Sequence, residues 1–250
     1  MFLKLQVKNN SIVIYFLNFA KTLNTIVGSK NKLKRFKENE TFGNVFQPTR
    51  EEVVSGSFPF KGVWNQDFFK NKNPLVLELG CGKGEYSVGL AEMYPNKNFI
   101  GIDIKGARFW RGAKTAVENG LSNVAFIRTQ IELIDHVFAQ NEVDEIWITF
   151  PDPQIKYKRT KHRMTNSEFL QLYKKILKPE GIVNLKTDSE FMHGYTLGLL
   201  HGEGHEVLYA NHNVYVNEGS PKEVTAIQTF YENQYLLINK SITYIRFKIK

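Results

Sequence analysis

The chain has 250 residues, 42% of them hydrophobic and 23% charged, an ordinary soluble composition with length enough for a full-sized α/β core. Its formal net charge of +8 favours a polyanionic partner such as nucleic acid. The single cysteine, Cys81, excludes an internal disulfide and a cysteine-based metal site, which suits a reducing cytoplasm.

In chain order, Ile12 to Leu17 is apolar, but Asn18 and Lys21 interrupt it well short of the ~20 residues a spanning helix needs. Lys4 and Lys8 precede it as in a signal peptide, yet no clear small-x-small cleavage site follows. Residues 1–29 therefore read as an extension of unknown role, with no membrane span. Residues 30–73 form a basic and aromatic arm. Lys30 to Lys37 holds five basic residues, suited to a phosphate backbone or to plain solvation. Phe58, Phe60, Trp64, Phe68 and Phe69, mixed with Gly and Pro, predict a packed loop or short helix.

From Pro74 onward, strand and helix patterns alternate. Strands are expected at 75–79, 99–104, 124–128, 144–150 and 182–187. Helices are expected at 85–94, 106–119, 130–140, 166–177 and 189–201. Such alternation predicts an α/β fold on a parallel sheet with right-handed crossovers. Pro179-Glu180-Gly181 supplies a turn. Beyond 205 the rhythm changes: Val207–Ala210, Val214–Val216 and Ile242–Ile249 predict strands without long helices between them, hence antiparallel pairing at one edge.

The run Leu75 to Leu79 leads into Gly80-Cys81-Gly82-Lys83-Gly84, a strand-to-helix loop where such sheets bind nucleotide-like ligands. Gly-x-Gly-x-Gly lacks the spacing of the dinucleotide fingerprint. Glu78 is costly in an apolar strand unless it accepts strong hydrogen bonds, which an ammonium group would provide, and it would repel a pyrophosphate. Asp103 ends the next strand at the distance suited to ribose hydroxyls. A paired structural carboxylate at Glu78 and a helix N-cap at Asp103 are the plainer readings. Further on, Phe150-Pro151-Asp152-Pro153 closes a strand, and the two prolines direct Asp152 into the same crevice. Five of the eight positions from Lys156 to Arg163 are Lys or Arg. That pairing suits a base held by its polar edge and a backbone held by its phosphates.

The glycine loop with its two acids resembles the Rossmann-like S-adenosylmethionine-dependent methyltransferases, which implies a mostly parallel, twisted α/β sheet of about seven strands with one antiparallel edge strand and helices on both faces. The Phe-Pro-Asp-Pro turn with its basic stretch, Leu185-Lys186-Thr187-Asp188, and Thr229-Phe230-Tyr231-Glu232 resemble the bacterial tRNA (guanine-N7)-methyltransferases over about residues 30 to 250. The resemblance implies a methyltransferase domain at 74–250, S-adenosylmethionine as cofactor, and tRNA as substrate, methylated at N7 of the variable-loop guanine, position 46. It also implies a cytoplasmic enzyme, monomer or homodimer, with no metal expected. Cofactor contacts would come from Glu78, Gly80, Gly82, Gly84, Asp103, Gln130 and Asp152. Asp152 would also be catalytic, and Lys156, Asp188, Thr229 and Glu232 would bind substrate. Two positions depart from the family pattern. Gln130 stands where Asp or Asn is common, and Gln154 replaces a tryptophan after Pro-Asp-Pro. An RNA exocyclic-amine methyltransferase and a non-catalytic RNA-binding protein on the same fold are the alternatives.

Overall fold

A computed structural model describes residues 31–250, so the extension at 1–29 and Lys30 lie outside the described residues. The arm opens with α1 over 31–39, then β1 (Val45–Phe46) and α2 (Arg50–Val54). The alternating part follows as β2 (Leu75–Leu79), α3 (Glu85–Met93), β3 (Asn98–Ile102), α4 (Gly106–Glu118) and β4 (Val124–Ile127). It continues with α5 (Ile134–Val137), β5 (Val143–Thr149), α6 (Ser167–Ile176), β6 (Leu177–Thr187) and α7 (Glu190–Gly202). The chain closes with β7 (Glu206–Asn211), α8 (Lys222–Ala226), α9 (Phe230–Leu237) and β8 (Thr243–Lys248).

The eight strands form one sheet in the order β1-β4-β3-β2-β5-β6-β8-β7. β1 to β6 pair in parallel, and β8 runs antiparallel between β6 and β7, which is the antiparallel pairing expected at that edge. Side chains alternate across the sheet. Leu75, Leu77 and Leu79 of β2 join Ile146, Ile148, Leu185 and Ile245 under α5, α6 and α7. Val76, Phe99, Phe126, Trp147 and Tyr244 face the other way, under α3 and α4. Glu78 shares this second face, so its carboxylate points toward α3. Because β2 to β6 are parallel, their carboxyl ends share one rim. Strand order reverses between β2 and β5, and ligands bind at such a reversal.

The arm is built into this body. β1 pairs with β4 through Val45↔Phe126 and Phe46↔Ile127. The aromatic stretch packs as expected: Trp64 is fully buried, stacked on Phe60 at 5.0 Å and Phe138 at 5.9 Å. Its short helix is one wide turn, closed by Phe69 N–H donating to the Trp64 carbonyl at 3.0 Å.

Three expectations are corrected. The helix expected over 130–140 shortens to a tight turn at Ile131–Leu133 and α5, because buried Phe138 turns into the core in extended conformation. Val214–Val216 is not a strand. Val214 N–H reaches the Ile242 carbonyl once, and then the amides of Val216 and Asn217 both turn back to the Asn213 carbonyl. Asn213 Oδ1 accepts from Tyr215 N–H at 3.2 Å, the local bonding by which Asn competes with strand ladders. β6 begins earlier than expected, at Leu177. Val143 pairs with Leu177 and Glu145 with Ile182, so Pro179-Glu180-Gly181 bulges out of the ladder.

Candidate active site

Five of the segments singled out in the sequence leave a strand at the common rim. The glycine loop follows β2, Asp103 follows β3, Gln130 follows β4, Asp152 follows β5 and Asp188 follows β6. Gly84 caps α3 in left-handed conformation, φ 74°, and a Cβ there would lie 2.5 Å from Phe126 Cε1. Gly112 of α4 lets the loop close: its N–H donates to the Lys83 carbonyl at 2.9 Å, and a Cβ would meet Gly84 Cα at 2.8 Å. Gly80 N–H donates to the Ile102 carbonyl at 2.8 Å. Gly82 N–H donates to Asp103 Oδ2 at 3.0 Å, and Asp103 Oδ1 accepts Lys105 N–H at 2.7 Å. Asp103 thus pins the loop and still keeps lone pairs at the rim.

Glu78 is 3% exposed. Its strong hydrogen bonds come from the protein: Ser87 N–H at 2.9 Å and Ser87 hydroxyl at 2.5 Å on Oε2, and Thr149 hydroxyl at 2.6 Å on Oε1. The carboxylate therefore ties β2 to α3 and to β5 across the strand-order reversal. Burial pushes its carboxyl up to about 7 against the pull of these bonds. A folded value above the unfolded one means this group's contribution to stability is present below about pH 4.5 and is lost as pH rises through 7. Glu78→Gln should therefore melt closer to wild type at pH 5, and its stability should gain on wild type by roughly 2 to 3 kcal/mol between pH 5 and 8. Paired melting curves across that range check it. Parallel curves would contradict the assignment.

Beside the loop runs a cleft of about 320 Å³ lined by Gly80, Asp103, Ile104, Gln130 and Ile131. It adjoins a second of about 440 Å³ that shares Ile104 and Gln130 and reaches Thr49 and Arg50 of the arm. Gln130 Oε1 accepts from Arg50 Nη1. An arginine only donates, so the amide oxygen must face it. The donor set, an acid and an amide between isoleucine faces, fits an adenosine-like ligand.

Phe150 and Gln154 bracket the Pro-Asp-Pro turn with φ of 49° and 47°, left-handed conformations that are costly for non-glycine residues. Asp152 is exposed, and its Oδ1 accepts Gln154 N–H at 3.0 Å. The basic stretch continues as a tight helix over Tyr157–His162, with Lys156 exposed at its start. Arg163 ends this stretch and behaves differently from its neighbours. It is 6% exposed, donates to the carbonyls of Gln154 and Ile155 at 3.2 Å each, and lies over the rings of Phe191 and Tyr195 at 4.8 and 4.4 Å. It anchors the strained turn to α7. In the sequence it reads as one more charge in the run suited to phosphates.

Thr229 and Glu232 do not stand at the substrate surface as expected. They form a capping box that starts α9, and Glu232 is fully buried. Its carboxylate pairs with buried Lys186 Nζ at 2.7 Å and accepts from the Tyr215 hydroxyl at 2.7 Å. Lys186 also donates to the Ile227 carbonyl at 3.0 Å. Burial pulls the Lys186 ammonium below its usual range while Glu232 pulls it up. Thr229 and Glu232 are both buried and set the start of α9. The signal was present, since Thr-x-x-Glu is also a helix-start signature. Asp188, half-buried beside them, pairs with Lys240.

Among the described residues no three His, Cys, Asp or Glu side chains gather as metal ligands, and no helix is long and apolar enough to cross a membrane. The sequence profile of a family described as "Putative methyltransferase" matches residues 72–244. A tRNA (guanine-N(7)-)-methyltransferase of Christiangramia forsetii is 76% identical over 224 residues, covering 90% of this chain and all of that protein. One of Bacteroides fragilis is 48% identical, covering 87% of this chain and 85% of that protein. Among solved structures, the 16S rRNA methyltransferase KamB aligns at a TM-score of 0.57 and 13% identity, over 74% of this chain and 92% of that one. At that identity the likeness shows the shared fold alone.

Proposed function

The chain belongs to the tRNA (guanine-N(7)-)-methyltransferase family, and from that premise we propose that it methylates N7 of the variable-loop guanine, position 46, of tRNA in the cytoplasm. One observation carries the reading. A loop and two acids suited to S-adenosylmethionine share a rim with an exposed, rigidly held Asp152 and a dense basic segment.

Bound S-adenosylmethionine would supply an electrophilic methyl group on a sulfonium sulfur. Asp103 would take the ribose hydroxyls, Gln130 would edge the adenine, and Gly80, Gly82 and Gly84 would keep side chains out of the way. Glu78 would present negative charge near the methionine ammonium. Guanine N7 carries a free lone pair at neutral pH, so no residue needs to remove a proton before attack. The protein's task is to align N7 with the methyl group and sulfur. Asp152 accepts hydrogen bonds from N1 and N2 of guanine and stabilises the positive charge that develops on the purine. Asp188, at the end of the neighbouring strand β6, would also bind the substrate. Lys156 and the exposed lysines after it hold the phosphates.

A tRNA transcript carrying 7-deazaguanosine at position 46 tests this reading. It should bind like the unmodified transcript and accept no methyl group. Undiminished transfer to it would show that N7 is not the acceptor. Lys158→Ala should weaken tRNA binding with a salt slope smaller by about one and leave kcat near wild type, because a phosphate contact acts through counterion release. Titrations at several salt concentrations check this.

A further inference from the structure

The arm reaches the cofactor cleft through one charged side chain. β1 runs beside β4 until Arg128 N–H donates to the Phe46 carbonyl at 2.8 Å, and Thr49 and Arg50 then line the second cleft. A capping box fixes the start of α2: Glu52 Oε2 accepts the Thr49 N–H at 2.6 Å, and Thr49 Oγ1 accepts the Glu52 N–H at 3.2 Å. Val53 of the same helix is buried in the core that holds Leu133 and Ile134. Arg50 opens α2, so its backbone is held between the cap and that buried contact. Its Nη1 donates to Gln130 Oε1, at the point where the two clefts meet.

That contact sets the polarity of the amide. A guanidinium donates and cannot accept, so it takes the oxygen of Gln130. Its fixed charge opposes a second N–H on the same oxygen. The side chain makes no cap bond to the turn that Gln130 starts, which leaves the NH2 to the cleft. Arg50 and Gln130 together therefore offer donors. Adenine presents acceptors at its ring nitrogens and a single donor, the 6-amino group. We propose that Arg50 completes the adenine end of the cofactor site and makes Gln130 a donor there, so that the site serves the ring nitrogens and does not select for the 6-amino group. The proposal rests on the S-adenosylmethionine site argued above and adds to it a positioning residue from the arm.

The test uses full-length wild type, Arg50→Met and Gln130→Glu. Calorimetry gives the affinity of each for S-adenosylhomocysteine and for its analogue with hydrogen in place of the 6-amino group. Wild type should bind the two within about twofold, because no hydrogen bond to the amino group is lost. In Arg50→Met the amide is released to turn its oxygen toward adenine, so the preference for the amino compound should rise to about fivefold, one neutral hydrogen bond. Gln130→Glu keeps one oxygen on Arg50 and presents the other to the cleft, so its preference should rise at least as far. A preference of about fivefold or more in wild type would overturn the proposal and assign the amino group to another acceptor, such as Glu132 on the first cleft. An Arg50 with a merely structural role would weaken both ligands alike in Arg50→Met. A ratio unchanged from wild type in that variant, or in Gln130→Glu, would also overturn it. Should wild type bind neither ligand, the cofactor site itself would fall, a failure distinct from a wrong ratio.

Discussion

Asp152→Asn is expected to lower methyl transfer about 100-fold or more while leaving the melting temperature near wild type. The variant isolates charge from shape. Asp152 Oδ1 accepts Gln154 N–H at 3.0 Å, and the asparagine oxygen can accept the same bond, so the turn is retained. Arg163 still holds the carbonyls of Gln154 and Ile155 from the far side. What changes is the edge offered to guanine. A carboxylate accepts from both N1 and N2, whereas an amide sets a donor against one of them, and an unpaired donor costs ~1–3 kcal/mol. Methylation at N7 makes the purine cationic and its N1–H a stronger donor. On the proposed mechanism the carboxylate would bind the transition state better than the ground state, and the loss would fall on kcat. Steady-state kinetics with guanine and adenine at the acceptor position check this. Full turnover with normal discrimination would remove Asp152 from the mechanism.

The second large effect is on stability. Lys186→Met should destabilise the protein by about 3–5 kcal/mol, because it strands the fully buried Glu232 carboxylate without its cation. In a chain of this size that corresponds to a melting point lower by roughly 10 °C. The double variant Lys186→Met/Glu232→Gln should recover much of the loss. The single amide oxygen of glutamine can still accept the Thr229 N–H while its NH2 donates to the Tyr215 hydroxyl, and it no longer carries a buried charge. Additive effects in this cycle would mean that the two groups do not interact. The pair's position makes it more than a structural detail. Lys186 lies on the strand whose carbonyl receives the Phe150 N–H at 2.8 Å, and Glu232 sits in the first turn of α9. Breaking it loosens the turn and the helix together.

What could be read in the sequence was local. The glycine loop, Asp103 and the Pro-Asp-Pro turn each depend on a strand followed by a tight turn, and short-range pattern reveals that. The antiparallel edge was visible in the strand-like runs Val207–Ala210 and Ile242–Ile249, which have no long helix between them. Long-range burial was not visible. Arg163 and Lys186 sit among charged or polar neighbours, and only the fold shows that one is roofed by α7 and the other by α9. β1 was too short to leave a pattern. Val214 to Val216 carried strand-like residues, yet the asparagines before them bond locally and make a turn. Glu78 was rightly singled out as an acid that needs strong donors. Ser87 lies nine residues away and Thr149 much further, so the sequence did not reveal that the protein itself supplies them.

On the proposed function this rim would bring guanine N7 of tRNA against the methyl group of S-adenosylmethionine. The most direct measurement incubates the full chain with methyl-labelled S-adenosylmethionine and unmodified tRNA, then locates the label by strand cleavage specific to 7-methylguanosine. Label is expected at the variable-loop guanosine, position 46, with cleavage there alone. Label resistant to that cleavage, carried on an exocyclic amine or on protein, would contradict it.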